Sequence, residues 1–353
     1  MRIARAVLLL TLYPILIYPL DAQEPVFRSE TTLALVRFHV VRKKFYAEDI
    51  KPGDIILLED GQPREITFFE GGRVKRRTVP VEMILLFDTS GSVVDEGLLN
   101  PLAFKSSLLD QLENVRIAVY GFGANLQRFC RPTRDAAELA RVFQRVIDFK
   151  TRAQPRPEIL KLELPPKRHS NPNGGTWLYE AVAGCARDAT ALPGNPTRMM
   201  LVFSDGFPTT DTRPVEGAAV AKDLGMPVYP VVLGHARIAE QMKQVQQTGY
   251  NRQGVMSDSA RQRLSRLEAQ EQEIQDFASL GELTGGRSFD PPVINLMMMQ
   301  RILGGMVAQV RCEYVVGFTP PPENGDPRKH KLDVRLRSKE MGKVLGGTRV
   351  ISH

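Results

Sequence analysis

The run Asp88-Thr89-Ser90-Gly91-Ser92 places one carboxylate and two hydroxyls within a single short turn. These are hard oxygen donors at close range, a set that suits Mg2+ or Mn2+, with Ca2+ also admissible, and Gly91 lets the backbone bend without a Cβ clash. Two further residues extend the set. Thr176 follows Gly174-Gly175 just ahead of a helical stretch and offers a hydroxyl from a second loop. Asp205 follows the apolar run Met199-Met200-Leu201-Val202-Phe203 and precedes Gly206, which puts a second carboxylate at the end of another strand. Each residue also has a plainer reading: Ser90 or Ser92 capping one helix, Thr176 capping the next, and Asp205 opening an Asx-turn before Gly206. Their joint placement favours the metal, because in open α/β sheets ligands bind outside the carboxyl ends of the strands.

The elements that must position these residues are legible as alternation. Residues 81–87 (VEMILLF) form a short, nearly continuous apolar run, the pattern of a strand buried on both faces of a parallel sheet, and the run ends at Asp88. Similar runs cover 115–122, 199–203 and 228–233, with helical stretches between them at 98–112, 136–147, 178–192 and 215–224. Strand-helix alternation at this spacing predicts an α/β fold: a doubly wound, mostly parallel, Rossmann-like sheet. Residues 151–173 are Pro-rich and basic and read as a surface loop. The polar, Gln-rich segment 235–275, with a helical charged run at 260–273, reads as an insertion outside the core. An amphipathic helix follows at 294–310; its Met297, Met298 and Met299 are expected in the core.

A small β unit is expected on either side of this core. Residues 31–41 have strand chemistry, and Asp60-Gly61 is a turn signal that predicts a hairpin between 55–58 and 65–69. Residues 312–319 and 331–337 are strand-like again. Neither the N-terminal piece (26–71) nor the C-terminal piece (312–353) has enough strands to bury a core alone, so the two are expected to pair as one small β-sandwich.

Oxygen ligands at strand ends in this order resemble the von Willebrand factor type A family, whose metal-ion-dependent adhesion site (MIDAS) uses DxSxS, a threonine in a following loop and an aspartate at a later strand end. The resemblance covers roughly residues 81–310, and the domain is expected over 80–311. It implies that Asp88, Ser90, Ser92 and Thr176 touch or closely surround a divalent ion, with Asp205 acting directly or through water. It also implies that ligation can shift the final helix, here 294–310. The chain as a whole resembles the VWFA-related domain proteins of acidobacteria through Glu59-Asp60-Gly61-Gln62-Pro63, Leu283-Thr284-Gly285-Gly286 and Tyr314-Val315-Val316-Gly317-Phe318-Thr319-Pro320. The segment 235–275 departs from a compact version of that family.

Two aspartates and three neutral hydroxyls leave a divalent ion partly neutralised and its octahedron unfilled, so the expected partner is a protein presenting an Asp or Glu carboxylate. Hydrolysis would need a base beside the metal, yet His39, His169, His235, His330 and His353 are scattered, only His169 lies in a loop near Thr176, and HExxH, GxSxG and P-loop motifs are absent from the sequence. The expectation is therefore a binding protein, not an enzyme. A structural or assembly component of an envelope complex, with the metal site not essential, is the alternative.

The first residues carry Arg2 and Arg5, an apolar stretch at 6–20 interrupted by Pro14 and Pro19, then Asp21-Ala22. This is the layout of a secretory signal peptide over 1–22, leaving an exported chain with no membrane span. Net charge is +7, but the basic residues are interleaved with nearly as many acids and do not form the clustered face that nucleic-acid binding requires. Cys130, Cys185 and Cys312 are too widely spaced for a zinc ribbon or CxxC motif; one pair could form a disulfide, or all three could be buried thiols.

Overall fold

A computed structural model describes residues 33–43, 45–72, 80–90, 100–150, 158–160, 175–193, 196–250, 254–320 and 328–352. The proposed signal peptide, residues 73–79, Gly91, Ser92, Leu98, residues 161–174 with His169, and His353 lie outside them. In chain order the strands and helices are β1 (Ala34–Arg42), β2 (Phe45–Tyr46), β3 (Ile55–Glu59), β4 (Gln62–Arg64), β5 (Phe68–Gly71), β6 (Val81–Asp88), α1 (Pro101–Phe104), β7 (Val115–Phe122) and β8 (Leu126–Thr133). There follow α2 (Ala136–Lys150), β9 (Glu158–Leu160), α3 (Leu178–Ala191), β10 (Thr197–Ser204), α4 (Pro214–Asp223), β11 (Val228–Val232), α5 (His235–Thr248), α6 (Asp258–Thr284) and α7 (Leu296–Cys312). The C-terminal strands are β12 (Tyr314–Phe318), β13 (Lys329–Leu336), β14 (Lys343–Gly346) and β15 (Thr348–Ser352).

The central sheet has six strands in the order β11-β10-β6-β7-β8-β9. β11, β10, β6 and β7 run parallel, and β8 and β9 add an antiparallel edge. Every residue of β6 and β10 is buried, which explains why their sequences show no polar alternation. Period-two geometry still sorts their side chains. Val81, Met83, Leu85 and Phe87 enter one core with α1, α2 and α7, while Ile84 and Leu86 enter the other with α3, α4, α5 and α6. α1 is short and continues as a π-helical turn over Lys105–Leu109.

Two differences from the sequence reading stand out. α5 and α6 are not an insertion outside the core, because Ile238, Val245, Ala260, Leu267, Ile274 and Phe277 are all buried against the sheet or its helices. On α6, Ala260, Leu267, Ile274 and Gly281 are buried at seven-residue intervals, a seam too narrow to raise the apolar content of the segment. Of the three methionines of α7, Met299 is fully buried, Met298 packs at the core's edge, and Met297 is exposed.

The N-terminal and C-terminal β segments do pair. β1 pairs antiparallel with β12 and β14, and β13 pairs with β3 and β15, giving a five-stranded and a four-stranded sheet. Phe38, Val40, Ile55, Leu57, Tyr314, Val316 and Leu332 fill one core between them. The hairpin differs in its second strand. Asp60 and Gly61 turn with φ 48° and 83°, but β3 returns into β4 at Gln62–Arg64, and Phe68–Gly71 crosses to the other sheet to pair with β12. All three cysteines are buried, and none forms a disulfide.

Candidate metal centre

β6 delivers Asp88 to the carboxyl end of the sheet, between β10 and β7. The side chain is fully buried. Its Oδ2 accepts a hydrogen bond from the Ser204 hydroxyl at 2.7 Å, and its Oδ1 accepts one from the Ser90 amide at 2.9 Å. The Ser204 hydroxyl in turn accepts from the Gly206 amide at 3.1 Å, which ties the end of β10 to the end of β6. Thr89 is held by Phe122, whose carbonyl accepts both the Thr89 amide at 2.7 Å and its hydroxyl at 2.8 Å.

The second loop is pinned from two sides. The Trp177 amide donates to the Gly123 carbonyl at 2.9 Å, and the Thr176 amide donates to the Thr209 hydroxyl at 2.9 Å while the Thr176 carbonyl accepts from the Thr209 amide at 2.9 Å. Gly123 is close enough to both loops that a Cβ there would stand 3.5 Å from the Gly175 carbonyl oxygen and 3.6 Å from the Thr89 hydroxyl. Thr176 itself is buried, as is Asp205. After Asp205 the chain turns at Gly206 with φ +82°, where a Cβ would press on Phe277 and Ile274 of α6, so this helix walls one side of the site.

Electrostatics report how the charges lie. Burial pushes the Asp88 carboxyl above the usual carboxylate range; hydrogen bonds from Ser204 and Ser90 pull it back, and the nearby Asp205 charge raises it further. Glu273 on α6 is also raised, by burial first and then by Asp205 and Asp276. Among the described residues no Lys, Arg or His forms an ion pair with Asp88 or Asp205. Nor do three His, Cys, Asp or Glu side chains gather among them to hold a metal, so an ion here would depend on hydroxyl ligands as well as carboxylates.

This donor set fits a divalent cation. A carboxylate has about four acceptor positions, and Asp88 presents two buried oxygens beside a second acid, with no basic ion-pair partner among the described residues. The structure brings Asp88, Ser90 and Asp205 into one neighbourhood and anchors the Thr176 loop beside Thr89, whereas Ser92 lies outside the described residues. The sequence reading missed Ser204 and Thr209, which orient Asp88 and Thr176. Ser204 had a visible signal, a lone hydroxyl ending an apolar strand directly before Asp205. Of the histidines, His39 meets the Gln309 carbonyl oxygen, His235 lies between Asp290 and Glu271, and His330 pairs with Asp60.

Fold and strand-end acids together define a Rossmann-like α/β domain with an acid-lined strand end. The von Willebrand factor type A domain family matches residues 82–270, more than half of the chain, and the chain belongs to that family. The match runs through α5 and into α6. No curated protein matches this chain. Among solved structures, it is similar to the conserved hypothetical protein BatB from Bacteroides thetaiotaomicron, at 18% identity over 65% of this chain and 98% of that one, with a TM-score of 0.40. It is also similar to the pilus adhesin SpaC from Lactobacillus rhamnosus GG, at 11% identity over 80% of this chain and 35% of that one, with a TM-score of 0.39. Proximal thread matrix protein 1 from the mussel byssus, in a structure with a zinc-occupied MIDAS motif, matches at 12% identity over 67% of this chain and 47% of that one, with a TM-score of 0.35.

Proposed function

We propose that this chain is an exported, non-catalytic binding module in which Asp88, Ser90, Ser92, Thr176 and Asp205 hold one divalent cation, and a carboxylate from a protein partner completes the shell. The observation that carries this reading is the pair of buried acids at adjacent strand ends, which have no basic counter-charge among the described residues. Mg2+ or Mn2+ suits the oxygen donors, with Ca2+ also admissible. A partner's Asp or Glu would be held by the ion's residual charge, so truncating either side would leave a charge unpaired at the interface. When bound, the ion supplies the electropositive contact. Ser204 and Ser90 orient the Asp88 carboxylate, and Thr209 fixes the Thr176 loop.

Members of this family are typically non-catalytic, in keeping with a binding role. Among the described residues, no helix is long and apolar enough to cross a membrane. Export rests on the signal-like segment 1–22, and kinship with the acidobacterial VWFA-related proteins rests on the sequence segments that flank the domain. We place the domain at 80–311, since α7 completes one of the two cores.

Capture of envelope proteins on the immobilised chain, with and without chelator, tests the reading. Capture should vanish in chelator and in Asp88→Ala. Capture that survives both would instead support the structural or assembly role.

A further inference from the structure

A second polar feature lies far along the fold from the strand-end acids, where α4 and α6 meet β13 and β15 of the sandwich. A cavity of about 420 Å³ opens there. Its lining includes Lys222, Lys331 and Arg349, the single acid Asp223, and apolar side chains such as Val215 and Leu283. The volume falls within the range of about 300–1,000 Å³ typical of small-molecule sites, and cations set into an apolar wall are a usual lining for them.

Arg349 is the unusual member. Its side chain crosses Gly225, whose left-handed φ of +64° and missing Cβ leave room for the Arg349 Cδ and Cγ. One guanidinium nitrogen donates to the Leu35 carbonyl at 2.8 Å, while Nε is sealed from solvent without an acceptor. Two other arginines lie nearby and are provided for: Arg198 pairs with Glu82 at 2.9 Å, and Arg37 donates to the Arg198 carbonyl at 2.6 Å and faces Glu313 at 4.0 Å. Arg349 forms no ion pair among the described residues. Burial, and then the charges of Arg37 and Arg198, push it down to about 10. A half-buried guanidinium that lines a cavity, with two further arginine charges near it, is electrostatically incomplete, and an oxyanion is its natural complement.

We propose that this cavity binds a small amphiphilic anion, with its carboxylate or phosphate head on Arg349, Lys222 and Lys331 and its apolar body against Val215 and Leu283. The site is independent of the strand-end acids. Asp223, the one acid in the lining, repels anions and so limits how much negative charge the head can carry.

Calorimetric titration of octanoate and octyl phosphate into the full chain tests this, with octan-1-ol and inorganic phosphate as controls. Saturable one-site binding of either anion is expected, with octan-1-ol at least tenfold weaker because it lacks the charge-assisted bonds. Tighter octanoate marks a carboxylate ligand and tighter octyl phosphate a phosphate ligand. Arg349→Met should weaken binding roughly ten- to a hundredfold. Should that variant fail to fold, Lys222→Met with Lys331→Met, both at exposed positions, should still weaken it. Binding should be unchanged in chelator and in Asp88→Ala, which separates its fate from that of the metal site. No saturable binding of either anion, equal binding of octan-1-ol, or an affinity indifferent to all three basic residues would overturn the proposal.

Discussion

Strands β6 and β10 lie side by side, and their two ends treat a buried carboxylate in opposite ways. Near the amino ends, Glu82 and Arg198 are direct partners across the ladder, both buried, and joined at 2.9 Å. Six residues on, at the carboxyl ends, Asp88 meets only hydroxyls and an amide among the described residues, with a second acid, Asp205, close by. One end carries its own counter-charge; the other leaves its charge open where the loops gather. The same pair of strands therefore holds a structural ion pair at one end and, at the other, two acids that the proposed function assigns to an external cation.

The largest effect should come from breaking the closed end. Arg198→Met leaves Glu82 buried without its partner and should cost about 3–5 kcal/mol in denaturant unfolding. A loss of only a few tenths would show that the pair is solvated and the contrast between the two ends unreal.

The open end should behave in the reverse sense when no metal is present. Because the Asp88 carboxyl is raised in the folded state, its ionisation opposes folding, so metal-free stability should fall as pH rises from the ordinary carboxylate range through the raised one. Asp88→Asn removes that charge and should stabilise the metal-free protein at neutral pH by on the order of 1 kcal/mol. Thermal melts in chelator would read this, and a destabilised Asn variant would mean that the acid is already compensated. The same shift means that metal affinity should weaken as pH drops and Asp88 takes up a proton.

Ser204→Ala removes the hydroxyl that bonds both Asp88 and the Gly206 amide, and should cost about 1 kcal/mol. Equal unfolding midpoints for variant and wild type would deny Ser204 this role. The smallest effect concerns His235, raised by its hydrogen bond to Asp290 and then by Glu271. Its contribution is present below the ordinary histidine range and is lost as pH rises through the raised value, so His235→Gln should flatten stability over that window alone. An unchanged pH profile would remove His235 from the account.

How much of this the sequence displays depends on how wide each apolar signal is. β6 and β10 are buried at every position, so the strands and the aspartates following them stand out. α6 buries a narrow seam at seven-residue spacing within a Gln- and Glu-rich run, and that seam reads as a solvated helix until the sheet beside it is known. The antiparallel strand β8, paired between β7 and β9, begins Leu126-Gln127-Arg128 and buries both Gln127 and Arg128, with Arg128 paired to Asp188 at 2.6 Å, a contact that no local pattern announces. Likewise Thr209 supports Thr176 from 33 residues away, through a loop whose sequence carries no ligand pattern. Arg349 is legible only in three dimensions, since its significance lies in the carboxylate it lacks.

The most direct test is calorimetric titration of Mg2+ and Mn2+ into the chelator-stripped chain beside Asp88→Ala. Saturable one-site binding in the wild type that disappears in the variant is the predicted result. A folded wild type that binds neither ion, or an Asp88→Ala protein that binds them equally well, would contradict the open end of the β6–β10 pair as a metal site.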